Sequence, residues 1–160
     1  MNEITISSML PVTRNKALMR GKTYIGIDFG TSTTVISIAS YDEYDHKIHT
    51  KSLRLPQLLH DGTLYRSEIV PTVIAWLNGR ILVGEGASQM KYQLKKGKNI
   101  WYSFKMELGE DLGAKYYDSE LREVDPFRIK NPVDAARVFF AYLKYLILRY
   151  CTEHKISTDI

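Results

Sequence analysis

"YIGIDFGTSTTVISIA", residues 24–39, sets two apolar runs on either side of a short polar centre. Tyr24 to Asp28 reads as a strand, Phe29 to Ser32 as a turn, and Thr33 to Ser40 as a returning strand of β-branched and small residues. A hairpin that needed only to reverse the chain could use any turn residues. This one ends its first strand on a carboxylate, Asp28, follows it with Gly30, and then places the hydroxyls of Thr31, Ser32, Thr33 and Thr34 beside successive amides. Backbone N–H groups gathered in such a loop can face phosphate oxygens, and a neighbouring carboxylate can hold a hydrated magnesium ion. The same residues could also satisfy the amides of an ordinary turn, so the string by itself leaves both readings open.

Downstream, "YDEYDH" forms the next turn and "KIHTKSLRL" alternates as a third strand, which predicts a meander. Residues 60–84 read as a further β unit: "HDG" as a turn, "PTVIAWL" as a strand, and "ILVG" returning after Asn78-Gly79, the strongest hairpin signal in the chain. Residues 86–96 and 99–108 read as two helical stretches split by Gly97. The clearest helix covers 131–153, with Asn131 as N-cap, Pro132 at the first helical position and Asp134 in the first turn. Its polar stripe is Asp134, Arg137, Ala141 and Lys144, which leaves Val138, Phe139, Tyr142, Leu143, Leu146 and Ile147 to bury. Residues 1–22 read as an extension with a short strand near 3–7. The stretch "CTEHKISTDI" leaves the helix towards another strand, and a β-α pattern that stops there is expected of a piece of a larger domain.

Composition narrows the class. With 44% hydrophobic and 25% charged residues, the chain can build a core and is not of the disordered type. The net charge of +4 is spread along the sequence, so no nucleic-acid partner is expected. Cys151 is the single cysteine and forms no internal disulfide, and near the N-terminus Thr5, Ser7, Ser8 and Pro11 interrupt Ile4, Ile6, Met9, Leu10 and Val12 before a signal-peptide core could form. Asp134, Arg137, Lys144 and Arg149 within the longest apolar segment argue against a membrane span. A cytoplasmic location is the expectation.

Rival motifs fit less well. "GKT" at 21–23 imitates the end of a P-loop, but the first glycine of that motif falls at Lys16, and a strand follows instead of a helix. "DFG" lacks the glycine-rich and catalytic loops that precede it in protein kinases. His46 and His49 have H-x-x-H spacing but no further ligands at metal spacing. Lys91, Lys95, Lys96 and Lys98, near Tyr92 and Trp101, read as a solvated helix face in preference to an RNA-binding strip, and Cys151 as a small core filler.

Three segments together carry a specific resemblance. "YIGIDFGTSTT" resembles the first phosphate motif of the actin-like ATPase superfamily, and is most similar to I-G-I-D-L-G-T-T-N-S of the DnaK-type heat-shock chaperones. "VPTVIAWLNGRILVGEGA", residues 70–87, resembles the chaperone stretch T-P-S-V-V-A-F-x-x-G-x-x-L-V-G-x-x-A. "SFKMELG", residues 103–109, resembles its K-R-L-I-G segment, and all three stand in the family's order. Over about residues 24–155 this implies an α/β fold of the actin-like (ribonuclease H-like) kind, present in part. Residues 23–160 would be the N-terminal part of the nucleotide-binding domain, the first part of lobe I, with its outer subdomain at about 60–130 and the helix from 131 returning to the base.

The resemblance further implies ATP or ADP with Mg2+ as cofactors. Asp28 would hold the magnesium through water, Gly30, Thr31, Ser32 and Thr33 would meet the phosphates, and Lys105 would approach the γ-phosphate as the catalytic cation. Client polypeptides and co-chaperones would be partners of the complete protein. The chain departs from the family at Thr33 for asparagine, Met106 for arginine and Glu107 for leucine, and has "EIV" before Pro71 where R-T-T is usual. These changes leave room for a non-catalytic, nucleotide-sensing scaffold of the same fold. A sugar or acetate kinase of the superfamily is disfavoured by the second and third segments. The second phosphate loop, the adenosine motif and the peptide-binding domain all lie beyond the matching segment, so the fragment alone is expected to be nearly inert.

Overall fold

A computed structural model describes residues 21–110 and 113–156, with backbone alone at 113 and 114. The opening stretch forms the expected hairpin. Strands β1 (Thr23–Phe29) and β2 (Thr33–Asp42) pair antiparallel from Thr23↔Ser40 to Phe29↔Thr34. Strand β3 (Lys47–Ser52) completes the meander on the other edge of β2, opposite Ser37 to Asp42.

The third strand was expected to run on through "SLRL", but it ends at Ser52. After a last bond from Leu53 N to Ile36 O at 2.8 Å, the chain leaves the sheet. The next stretch of the β2 edge, Thr33 to Val35, is taken by a later strand, β6 (Ile69–Pro71). Between them, β4 (Leu55–Leu58) and β5 (Leu64–Ser67) make a separate two-stranded hairpin. Its turn is closed by Asp61 Oδ1, which accepts from Thr63 N at 2.9 Å and from Thr63 Oγ1 at 2.7 Å.

Strands β7 (Val73–Leu77) and β8 (Arg80–Val83) follow, joined at Asn78-Gly79, where both residues have positive φ, 50° and 73°. That backbone matches the strand twist, and glycine meets no steric penalty in it. The two helices expected next are largely absent. Only α1 (Glu85–Ser88) is α-helical, and 89–94 continue as turns. Ile100–Tyr102 form β9 on the free edge of β7, and Phe104–Glu107 make one 3-10 turn.

Opposite faces of β9 are both buried, Ile100 in a small cluster with Val73, Ala75 and Leu82, and Trp101 in the main core. A strand buried on two sides loses its alternation and cannot be told from a helix by periodicity. Gly97, at φ 80°, sits where an added Cβ would lie 2.1 Å from the Lys115 carbonyl oxygen, and it reverses the chain before this strand.

Helix α2 (Pro132–Glu153) is capped as its sequence predicts. Asn131 Oδ1 accepts from Asp134 N at 2.8 Å, and Asp134 Oδ2 accepts in return from Lys130 N at 2.9 Å. Val138, Phe139, Leu143, Leu146 and Ile147 are buried as expected, and Cys151 lies in the same core, its thiol pushed up by burial. Tyr142, also expected to bury, is half-buried, and Phe140 and Tyr145, which lie outside the expected face, are exposed.

Paired residues of a sheet share a face. Ile25, Ile27 and Phe29 therefore lie on one side with Thr34, Ile36 and Ile38, while Asp28 lies on the other with Gly26, Val35 and Ser37. α2 covers the first side, where Phe29 lies 6.0 Å from Phe139 and 4.8 Å from Phe140 between ring centroids. The described residues thus form antiparallel sheets with one long helix across the first of them. Among them, no helix is long and apolar enough to cross a membrane. Residues 1–20, where a short strand near 3–7 was expected, lie outside the described part.

Candidate functional site

The loop after β1 is tight for a steric reason. Gly30 N donates to Thr33 O at 3.0 Å, and a Cβ on Gly30 would lie 2.3 Å from that same oxygen. Since backbone cannot give way by that much without opening the turn, only glycine fits.

The loop is supported from the neighbouring strand. Thr72 N donates to Ser32 O at 2.8 Å, and Thr72 Oγ1 donates to Gly30 O at 3.0 Å. Thr34 Oγ1 and Thr72 Oγ1 share a buried hydrogen bond of 3.0 Å. Thr34, the fourth hydroxyl of the motif, therefore points into the protein and holds the loop from beneath. Thr72 was not among the candidate residues. Its one signal in the sequence is a hydroxyl between Pro71 and the apolar run of β7.

The other loop groups face outward. Ser32 and Thr33 are exposed and Thr31 is half-buried. Among the described residues the amides of Thr31 and Ser32 have no backbone partner, which leaves donors for an anion. The Asp28 side chain is exposed on the sheet face away from α2, and no described residue bonds to it. An exposed carboxylate at the end of β1 and amides unbonded to backbone among the described residues are the kinds of group that a hydrated divalent cation with its phosphates requires.

Lys105 reaches this loop from 76 residues further on: its Nζ donates to the carbonyl oxygen of Phe29, the residue between Asp28 and Gly30. The ammonium also lies 5.4 Å from the centroid of the Phe29 ring. Of the sequence-derived candidates, Gly30, Thr31 and Ser32 form the loop, Asp28 and Thr33 flank it on β1 and β2, and Lys105 meets the last residue of β1 by the Phe29 ring, which lies on the sheet face opposite Asp28.

Two residues beyond Lys105, Glu107 is buried. Its Oε1 accepts from Lys96 Nζ at 3.2 Å and Lys115 Nζ at 3.1 Å, and its Oε2 from Tyr116 Oη at 2.9 Å. Burial alone would raise this carboxyl, but the hydrogen bonds from Tyr116, Lys115 and Lys96 together outweigh it and hold the group below its ordinary value. Burial and the facing carboxylate push the Tyr116 phenol up.

A depressed folded-state value stabilises the protein above the unfolded value, about 4.3 for glutamate, and that contribution is lost as pH falls through the folded value. Glu107→Gln is therefore expected to lose less stability than wild type between about pH 7 and about pH 3. Urea unfolding midpoints at both pH values measure this. Equal acid losses in the two proteins would show that Glu107 is not linked to folding.

The remaining constellations resolve differently. Lys95 pairs with Asp118, Lys96 with Glu107 and Lys98 with Glu120, Lys91 lies over the Tyr102 ring, and Trp101 is buried; none of the four lysines is in a helix, so the strip is not a helix face. His46 bonds to Tyr41 Oη while His49 bonds to Asp45. Asp42, Asp45 and His49 offer ligand atoms within 4.8 Å of one another, all exposed. Compared with protein-family models and with the sequences of curated proteins, the chain matches none.

Proposed function

We propose that this chain is the N-terminal part of the nucleotide-binding domain of a divergent, cytoplasmic DnaK-like chaperone. In the complete protein, ATP binding and hydrolysis would switch the state of a client-binding partner domain. The observation that carries the reading is the bond from Lys105 to the Phe29 carbonyl. Two segments chosen from the sequence for the same phosphate chemistry, 76 residues apart, meet in space.

The residues fit the cofactors by their chemistry. Gly30 lets the loop close tightly on the Thr33 carbonyl, and the Thr31 and Ser32 amides would supply donors for phosphate oxygens. The Thr31, Ser32 and Thr33 hydroxyls add further donors along the same rim. Asp28 would hold magnesium through its water shell, and that ion, when bound, offsets charge on the phosphates. Lys105 would leave the Phe29 carbonyl for the γ-phosphate oxygens, where a fixed cation meets growing negative charge.

The test is Asp28→Asn in the complete protein. The apparent magnesium affinity in nucleotide binding is expected to fall by about 10- to 100-fold, as for other groups that hold a metal through its outer shell, with the unfolding midpoint unchanged. Magnesium titrations of nucleotide binding and urea unfolding curves read the two quantities. An unchanged magnesium dependence would leave Asp28 as a turn residue and remove the reading's main chemical support.

A further inference from the structure

We propose that Glu107 is a positioning residue for Lys105. It holds one end of the turn that carries the lysine, so that the ammonium faces the phosphate loop. The inference rests on the proposed function for its catalytic consequence, but not for its geometry.

The turn Phe104–Glu107 has little cohesion of its own. It is a 3-10 segment of only four residues, and the bond that closes it, from Leu108 N to Lys105 O, is long at 3.4 Å. It begins at Ser103 in the left-handed region, φ 60°, a conformation that a serine adopts only when its surroundings impose it. Side chains must therefore orient it.

Met106 is 66% exposed and Leu108 41% exposed, so neither can anchor the turn. The two buried side chains are Phe104 at one end and Glu107 at the other. Phe104 lies 6.3 Å from the Phe29 ring, the same residue whose carbonyl takes Lys105. With the Phe139 ring 5.9 Å away as well, these contacts hold the first residue of the turn, and the far end, beyond Lys105, depends on Glu107.

Glu107 fixes that far end, because its Oε1 accepts from Lys96 and Lys115 and its Oε2 from Tyr116, three donors from two other segments. Leucine, the residue of the chaperone segment at this position, would fill space without setting direction. The carboxylate sets it.

The experiment compares wild type, Glu107→Leu and Tyr116→Phe in the intact protein. The reactivity of each lysine towards limiting acetic anhydride is read by peptide mass spectrometry, with exposed Lys144 as internal reference. In Glu107→Leu, acylation of Lys96 and Lys115 rises because they lose their carboxylate. Acylation of Lys105 is expected to rise several-fold with them, as the far end of the turn comes loose and releases it from Phe29. Tyr116→Phe, which removes one donor of the three, gives a smaller rise in the same direction, and it decides the question should Glu107→Leu fail to fold. Constant Lys105 reactivity while Lys96 and Lys115 become more reactive would overturn the proposal.

Single-turnover ATP hydrolysis adds the second readout. Glu107→Leu is expected to slow it by about 10- to 100-fold with KM little changed, and to have no further effect in a Lys105→Ala background. Equal slowing in both backgrounds would also overturn the proposal, since Glu107 would then act by another route. If wild type hydrolyses no ATP while the Lys105 reactivity responds as described, the positioning role stands and the ATPase reading falls.

Discussion

Lys105→Ala in the complete protein is expected to slow single-turnover ATP hydrolysis by about a hundredfold or more while ATP affinity stays close to wild type. The reason lies in when the ammonium is needed. Before reaction it has a partner in the Phe29 carbonyl, so its loss removes little from the ground state. In the proposed phosphoryl transfer, charge on the γ-phosphate oxygens would find no comparable cation among the loop residues, all of which are neutral except Asp28. Lys105→Arg is expected to restore only part of the rate, because a planar guanidinium differs in shape and reach from a compact ammonium. Rapid-quench hydrolysis and equilibrium nucleotide titration separate the two effects. An alanine variant at the wild-type rate would make Lys105 a surface lysine. If wild type binds ATP without hydrolysing it, the same fold is better read as a nucleotide-sensing scaffold.

Phe104→Ala is expected to destabilise the protein by about 3–5 kcal/mol. The side chain is fully buried, its ring centroid 6.3 Å from that of Phe29 and 5.9 Å from that of Phe139. It therefore joins the end of β1, the 3-10 turn and α2 in one cluster, and truncation leaves a cavity that three separate elements would have to move to fill. Phe104→Leu, which retains most of the volume, is expected to cost less than about half as much. The urea midpoint reads both variants, with the slope of the transition unchanged. A loss below about 1 kcal/mol for alanine would mean that the cluster collapses around the gap and that Phe104 does not hold the turn.

Local rules made much of this chain legible. The β1–β2 hairpin, the Asn78-Gly79 turn and the capped helix from Pro132 each depend on residues within a few positions of one another. A turn residue with positive φ, or a cap two or three residues from the amide it serves, acts at short range and leaves its mark in the string. The loop itself was readable for the same reason, since the bond from Gly30 N to Thr33 O closes within four residues.

Where the readings failed, distant partners decided. The third strand stops at Ser52 because β6 occupies the rest of the β2 edge, and β9 is extended because β7 offers it a free edge. Neither edge is visible in "SLRL" or in "NIWYSFKM". The apolar pattern of β9 misleads in particular, because its two faces enter two different clusters, and a segment buried on both sides carries no period.

The sequence by itself determined the hairpin, the glycine and hydroxyl loop, and the helix that covers its apolar face, all of them settled by backbone preference and near neighbours. Only the tertiary structure decided that Thr34 turns inward to Thr72, that Lys105 meets Phe29, and that Glu107 is buried among Lys96, Lys115 and Tyr116. Each of these is a contact between side chains or carbonyls 8 to 76 residues apart. Which of the chain's 22 lysines and arginines lies beside the loop depends on how strands and turns from several segments pack, and no local pattern encodes it.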